Sequence, residues 1–251
     1  MKTLNNYIYE MSNKHYNADE YKKDTRHNDL KDIAQAYIDA IGGKDALFKC
    51  VDNAIKKTNK ILQLLYDNGI SEFVNGQMLG RIIERKLAQS MELDGITYEQ
   101  GKEASNDKDI ECTSVSDNIK DKVKKIASNK LKVNLDEPHA YGIELKCSQG
   151  SGITGNKSYA IDIDDDGKGT KSSKDAFYIL INYKGPIEIA DTVDGQSSED
   201  VKDNLHKKFI ITIYSVHFGF IEQNDWVYGE KGNAASLKMG ILKEKRLIKI
   251  K

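Results

Sequence analysis

The amino-acid sequence predicts an α/β (α+β) fold: a central mixed β-sheet flanked by helices, with a helical N-terminal region. Three observations predict it. Apolar residues recur at helical spacing through residues 28 to 92. From about residue 108 the pattern changes to short apolar runs, of which Ala176 to Tyr183 and Phe209 to Phe220 are the strongest and are rich in β-branched and aromatic residues. The order, helices first and then mostly strands, belongs to the mixed class.

Taken in order, Ile33, Ala36, Tyr37 and Ala40 mark a first helix, ended by Gly42-Gly43. Leu47, Val51, Ala54, Ile55, Ile61, Leu64 and Leu65 form a second apolar stripe, stopped at Asn68-Gly69. A third helix runs from about Gly76 to Met91, with Leu79, Ile82, Ile83 and Leu87 on one face and Glu84 one turn after Gly80. Asp109 to Val115 reads as a short strand, and Asp117 to Lys132 as a lysine-rich helix or solvated excursion. Tyr141 to Cys147 is a strand, followed by a glycine-rich loop at Gly150 to Gly155 and an acidic, then Gly/Ser/Lys-rich loop at Asp162 to Lys174. The last twenty residues combine a small-residue stretch with a strand-like Leu-Ile-Lys-Ile-Lys tail. We divide the chain into a helical region at 1–75, serving packing and dimerisation, and a core at 76–251.

A length of 251 residues suits one large domain or one domain with a helical annex. The chain is 39% apolar and 31% charged, and no apolar run approaches the ~18 residues of a membrane span. The first 26 residues are polar and lack the apolar stretch of a secretory signal, so a cytoplasmic protein is expected. Three cysteines, Cys50, Cys112 and Cys147, form no disulfide framework and no CxxC metal pair. The formal net charge of −1 gives no global attraction to nucleic acid, so any such binding rests on a local basic surface.

The chemistry centres on Glu144-Leu145-Lys146. Strand alternation puts Glu144 and Lys146 on one side and Ile143 and Leu145 on the other. A carboxylate there can bind Mg²⁺, and an ammonium beside it can hold a water or offset phosphate charge; a second carboxylate must complete the oxygen-ligand set. E-x-K triplets are common in lysine-rich chains, where the ordinary reading is a surface strand with a salt bridge. The apolar flanks, the Asp109 strand before it and the Gly80-x-x-x-Glu84 helix before that raise this one above the ordinary. Asp109 is the preferred second carboxylate, with Glu111, Asp136 and Glu137 as rivals.

This order resembles the PD-(D/E)xK nuclease superfamily: a helix with Glu84, a strand with Asp109, then Tyr-Gly-Ile-Glu-Leu-Lys-Cys-Ser. The stretches Gly152 to Ala160, Ala176 to Tyr183 and Phe218 to Ile221, with Asp225-Trp226 after them, narrow the resemblance to type II restriction endonucleases of the ScaI kind. It covers roughly residues 76 to 240. It implies a restriction-endonuclease-like sheet and Mg²⁺-dependent, sequence-specific cleavage of double-stranded DNA at a short palindrome, leaving 5′-phosphate and 3′-hydroxyl ends. Asp109 and Glu144 would ligate the metal, Lys146 would hold the water and Glu84 would support the site. A palindrome-cutting enzyme needs two active sites about a two-fold axis, hence a homodimer, and a cognate DNA methyltransferase is the implied genetic partner. One departure is that Lys108, not proline, precedes Asp109; another is the long gap to Glu144. A repair or structure-specific nuclease with the same site, and a non-catalytic DNA-binding protein, are the alternatives.

Candidate DNA contacts are Gln149, Ser151, Asn156, Lys157, Ser158 and Tyr159, with Gln223, Asn224 and Trp226 as further donors, Trp226 being equally a core aromatic. The lysines at 120, 122, 124, 125, 130 and 132 either contact phosphate or form a solvated face. Gly150 to Gly155 matches GxGxxG, but no helix is expected after it, so nucleotide binding is not. Asp162 to Gly167 opens like an EF-hand loop yet has Ser173 where a bidentate Glu is required. His15, His27, His139, His206 and His217 lack metal-ligand spacing, and a Ser–His hydrolase elbow is missing.

Overall fold

The computed structural model describes residues 18–101, 108–128, 130–131, 133–150, 152–156, 175–190, 207–228 and 234–251. Their helices are α1 (Ala18–Lys23), α2 (Arg26–Ala40), α3 (Gly43–Asp67), α4 (Gly76–Ala88), α5 (Asp117–Ala127) and α6 (Met239–Lys245). Their strands are β1 (Ile96–Gln100), β2 (Ile110–Val115), β3 (Ile143–Ser148), β4 (Thr154–Asn156), β5 (Ala176–Ala190), β6 (Lys207–Ile221), β7 (Trp226–Tyr228), β8 (Ala234–Leu237) and β9 (Ile248–Lys249).

The mixed α/β class is the observed one. Six strands form the main sheet in the order β1-β2-β3-β5-β6-β9, and β4-β8-β7 form a smaller one. β3 and β5 are parallel, with Glu144 in register with Tyr178 and Lys146 with Leu180; the other main-sheet pairs are antiparallel. Alternation splits the side chains of β5 between two buried clusters, while β3 contributes one face to the larger cluster and turns Glu144 and Lys146 to the other. Ile143, Leu145, Phe177, Ile179 and Ile181 join the helices in the larger cluster. Tyr178 and Leu180 join Ile153, Trp226, Leu237 and Leu242 in the smaller one, under the three-stranded sheet and α6.

The helical expectations find counterparts, with one correction: toward the end of α3 the buried face passes through Leu62, and Leu64, placed on the apolar stripe by the sequence, is 62% exposed. In α2, Leu30, Ile33, Ala34, Tyr37 and Ile38 are buried, and Gly42 and Gly43 follow with φ of +100° and +87°, which β-carbon-bearing residues rarely adopt. Helix α3 ends at Asp67, just before the stop at Asn68-Gly69. Helix α4 opens on Asn75, whose side chain accepts the Met78 N–H at 2.9 Å, and ends at Ala88, three residues earlier than the apolar pattern predicts. The lysine-rich stretch resolves as the amphipathic helix α5, burying Ile119, Val123 and Ala127. The N-terminal helices share one buried cluster with the sheet, Tyr37 of α2 lying 4.5 Å, centroid to centroid, from Phe177 of β5. Among the described residues, no helix is long and apolar enough to cross a membrane.

The sequence reading did not find β1, α6 or the small sheet. β1 holds only five residues, with Ile96 and Tyr98 as its buried positions. β4, β7 and β8 hold three, three and four residues, too few to show a period. The acidic loop at 162–167 lies outside the described residues.

Candidate active site

The site forms where β2 and β3 meet. Ile110 pairs with Ile143, so one further step in the antiparallel register brings Asp109 opposite Glu144. There the Asp109 carboxylate replaces a ladder carbonyl: its Oδ2 accepts the Leu145 N–H at 2.8 Å. Glu144 is 2% exposed. Lys146, two residues on along the same face, brings its Nζ to 3.6 Å from Asp109 Oδ2 and 3.7 Å from Glu144 Oε2. The ammonium thus lies between the two carboxylates, within Coulombic reach of both.

Glu84 enters from α4, which anchors Leu79, Ile83 and Leu87 in the main cluster. Burial, and then the negative charge of Asp109, push the Glu84 carboxyl up to about 7, against the pull of Lys146, Arg81 and Arg85. The structure therefore brings Asp109, Glu144, Lys146 and Glu84 into one neighbourhood. Burial also pushes the neighbouring Cys147 thiol up to about 12, so it is no thiolate nucleophile at neutral pH.

The lysine before Asp109 has a packing role. Lys108 is 9% exposed, and its Nζ reaches the Asp175 carbonyl at 3.5 Å. A Cβ on Gly142 would lie 2.7 Å from Lys108 Cγ, so glycine there lets the lysine stem pass beneath the start of β3. The rival carboxylates stand elsewhere: Glu111 faces His139 at 3.8 Å, Asp136 pairs with Lys124, and Glu137 is exposed before the turn at Pro138.

The donor set suits a hard divalent cation. Two carboxylates, with the remaining positions left to water and substrate oxygen, is how Mg²⁺ is commonly held, and Asp109 and Glu144 with the one ammonium of Lys146 between them match that donor number. Among the described residues no group of three or more His, Cys, Asp or Glu side chains is gathered around a metal position, so a closed protein cage of the structural zinc type does not form there.

The expected DNA contacts fare unequally. Gln149 is exposed at the end of β3, and its amide donates to the Gly185 carbonyl. Asn156 ends β4, while Ser151, Lys157, Ser158 and Tyr159 lie outside the described residues. Asn224 is exposed. Gln223 donates its backbone N–H to Asp175 Oδ1 at 2.9 Å. Trp226 is 4% exposed inside the smaller cluster, so it is a core aromatic rather than a base reader. Of the lysine run, Lys124 pairs with Asp136 and Lys130 with Asp29, while Lys122 and Lys125 are exposed; Lys132 lies outside the described residues. Gly150 to Gly155 leads into β4, without the helix a dinucleotide site needs.

Two features escaped the sequence reading. Asn182 of β5 is 1% exposed; its amide donates to the Gly150 carbonyl, and its Oδ1 accepts Ser215 Oγ at 3.1 Å, pinning the glycine-rich loop to the sheet. A polar residue inside an apolar strand was the available signal. Arg81 and Arg85 flank Glu84 and act on its charge; their spacing of four residues was the signal. No protein-family model matches the chain, and neither a curated protein nor a solved structure matches it.

Proposed function

We propose that the protein is a Mg²⁺-dependent type II restriction endonuclease of the PD-(D/E)xK type that cleaves double-stranded DNA at a short palindrome. The observation that carries this reading is Lys146 Nζ placed 3.6 Å from Asp109 and 3.7 Å from Glu144, on adjacent strands, with Glu84 beside them. A salt bridge on a surface strand needs neither a second strand's carboxylate nor a glutamate that is 2% exposed.

In this reading Asp109 and Glu144 would hold Mg²⁺, which would offset the charge that develops on the phosphate and the leaving oxygen. Lys146 positions the attacking water and adds positive charge beside the phosphate. Water oxygen bonds to phosphorus, the P–O3′ bond breaks, and the proton released by water balances the one taken up by the departing 3′ oxygen. The products are a 5′-phosphate and a 3′-hydroxyl. Glu84 orients groups at the edge of the site. The Leu145 N–H, bonded to Asp109, keeps that carboxylate from rotating away.

Recognition of a palindrome calls for a homodimer, and protection of the host genome calls for a cognate methyltransferase; the enzyme would act in the cytoplasm. The test is digestion of unmethylated phage DNA by purified protein, with Mg²⁺ or with EDTA. Discrete bands that need Mg²⁺ are expected. A Mg²⁺-dependent smear replaces the restriction reading with a repair or structure-specific nuclease, and no cutting with any divalent metal leaves a non-catalytic DNA-binding protein.

A further inference from the structure

Helix α4 carries Glu84 into the site and also presents a groove beside it. The groove measures about 410 Å³ and is lined by Asn75, Gln77, Met78, Arg81, Ile82 and Arg85. Gln77, Arg81 and Arg85 recur every four residues, which places them along one stripe of the helix with ~6 Å of rise between neighbours. Both arginines are exposed, and Arg85 has no ion-pair partner among the described residues. Both lie close enough to Glu84 to act on its charge. At Gly80, a Cβ would meet nothing within 4 Å, so the helix surface next to the site is open.

We propose that this stripe binds the phosphodiester backbone of double-stranded DNA next to the phosphate being cut, with Arg81 and Arg85 as phosphate contacts and Gln77 as a neutral donor. The inference rests on the nuclease reading and adds a positioning surface to it. Three physical arguments support it. Asp109 and Glu144 carry two carboxylates against the one ammonium of Lys146, so a polyanion approaching them is favoured by an adjoining cationic surface. A guanidinium presents a planar fork of donors that matches phosphate oxygens, and two on one helix fix the register of a strand. The chain as a whole carries a net charge of −1, so attraction must come from local placement such as this.

The experiment compares wild type, R81A/R85A and a charge-matched control, K31A/K44A, which removes two exposed lysines outside the groove. Binding of each to a labelled 40-base-pair mixed-sequence duplex is followed by fluorescence anisotropy in EDTA across a salt series, with sedimentation measured in parallel. Such binding is driven by phosphates and needs no knowledge of the recognition sequence. R81A/R85A is expected to lower the slope of log K against log salt by about 2, at ~0.9 per contact, and to weaken binding at low salt by on the order of tenfold or more. The control should match wild type, and all three should give the same far-UV circular dichroism. An unchanged slope in R81A/R85A beside a wild type that binds would overturn the groove while sparing the nuclease. A wild type that does not bind would overturn both. Loss of self-association in R81A/R85A without a change in slope would reassign the stripe to a contact between copies of the chain.

Discussion

Lys146 and Asp109 are where single side chains matter most. In K146A the two carboxylates would lose the cation lying between them, and in D109A the Leu145 N–H would lose its acceptor. Each substitution is expected to reduce cleavage by on the order of 10²–10³-fold or more, the usual scale for removing one group that stabilises developing charge. Far-UV circular dichroism and affinity for DNA should change little; cleavage at the wild-type rate by either variant would exclude the assignment. His217 gives a pH prediction. It is 7% exposed on β6, its Nδ1 is without a partner among the described residues, and burial followed by the charges of Lys243 on α6 and Lys249 on β9 push it down to about 4. The folded state thus releases a proton that the unfolded chain holds with an ordinary value of about 6.5. This contribution is complete above pH 6.5 and is lost as pH falls toward 4, amounting to about 2 kcal/mol between pH 7 and pH 5. Because the raised Glu84 carboxyl acts in the opposite sense over the same range, the His217 contribution is read as the difference between wild type and H217F in urea denaturation at the two pH values, which should widen as pH falls.

At the scale of elements, α3 guards an edge of the main sheet. Asn59 accepts the Ile211 N–H at 2.9 Å and donates to the Ile211 carbonyl at 3.0 Å, and Gln63 accepts the Phe209 N–H at 3.0 Å. Two helix side chains therefore satisfy backbone groups of β6 that a further strand would otherwise pair. N59A should cost about 1–3 kcal/mol, because Ile211 is 1% exposed and water cannot readily replace the lost partners. It should also promote aggregation on heating, visible by light scattering; neither effect in a folded N59A would refute the edge-guard role. A second tie joins the chain's two ends. Arg246, 2% exposed, pairs with Asp225, 1% exposed, and its Nε lies 3.1 Å from His27 Nδ1, while Tyr21 donates to Asp225 Oδ1 at 2.5 Å. Burial pushes the Asp225 carboxyl up, and Arg246 pulls it back. R246A would strand the carboxylate, costing about 3–5 kcal/mol, whereas a paired apolar replacement, D225L/R246M, should recover much of that in thermal melts.

For the whole molecule, the functional reading requires two copies. Sedimentation should give twice the 28.3 kDa of one chain, and a monomer at micromolar concentration, with or without DNA, would leave a palindrome without its second active site. The sequence by itself determined the mixed class, the three long helices, the strands of the main sheet from β2 onward and the pairing of Glu144 with Lys146 on one strand face. These depend on local periodicity, which a single segment displays. Short β1, β4, β7 and β8 were illegible because three to five residues show no period, and α6 because its seven residues owe their form to Leu242 packing beneath the small sheet. Only the tertiary structure decided which carboxylate joins Glu144. The sequence preferred Asp109 to Glu111, Asp136 and Glu137 because it opens the preceding strand, but β2–β3 pairing is what sets it opposite Glu144 and beside the Leu145 amide. Trp226 shows the same division from the other side: its residue type fits base stacking and core packing equally, and burial beneath β5 chose the core. Proximity between residues far apart in the chain arises from strand register and helix docking, and composition and spacing carry no record of either.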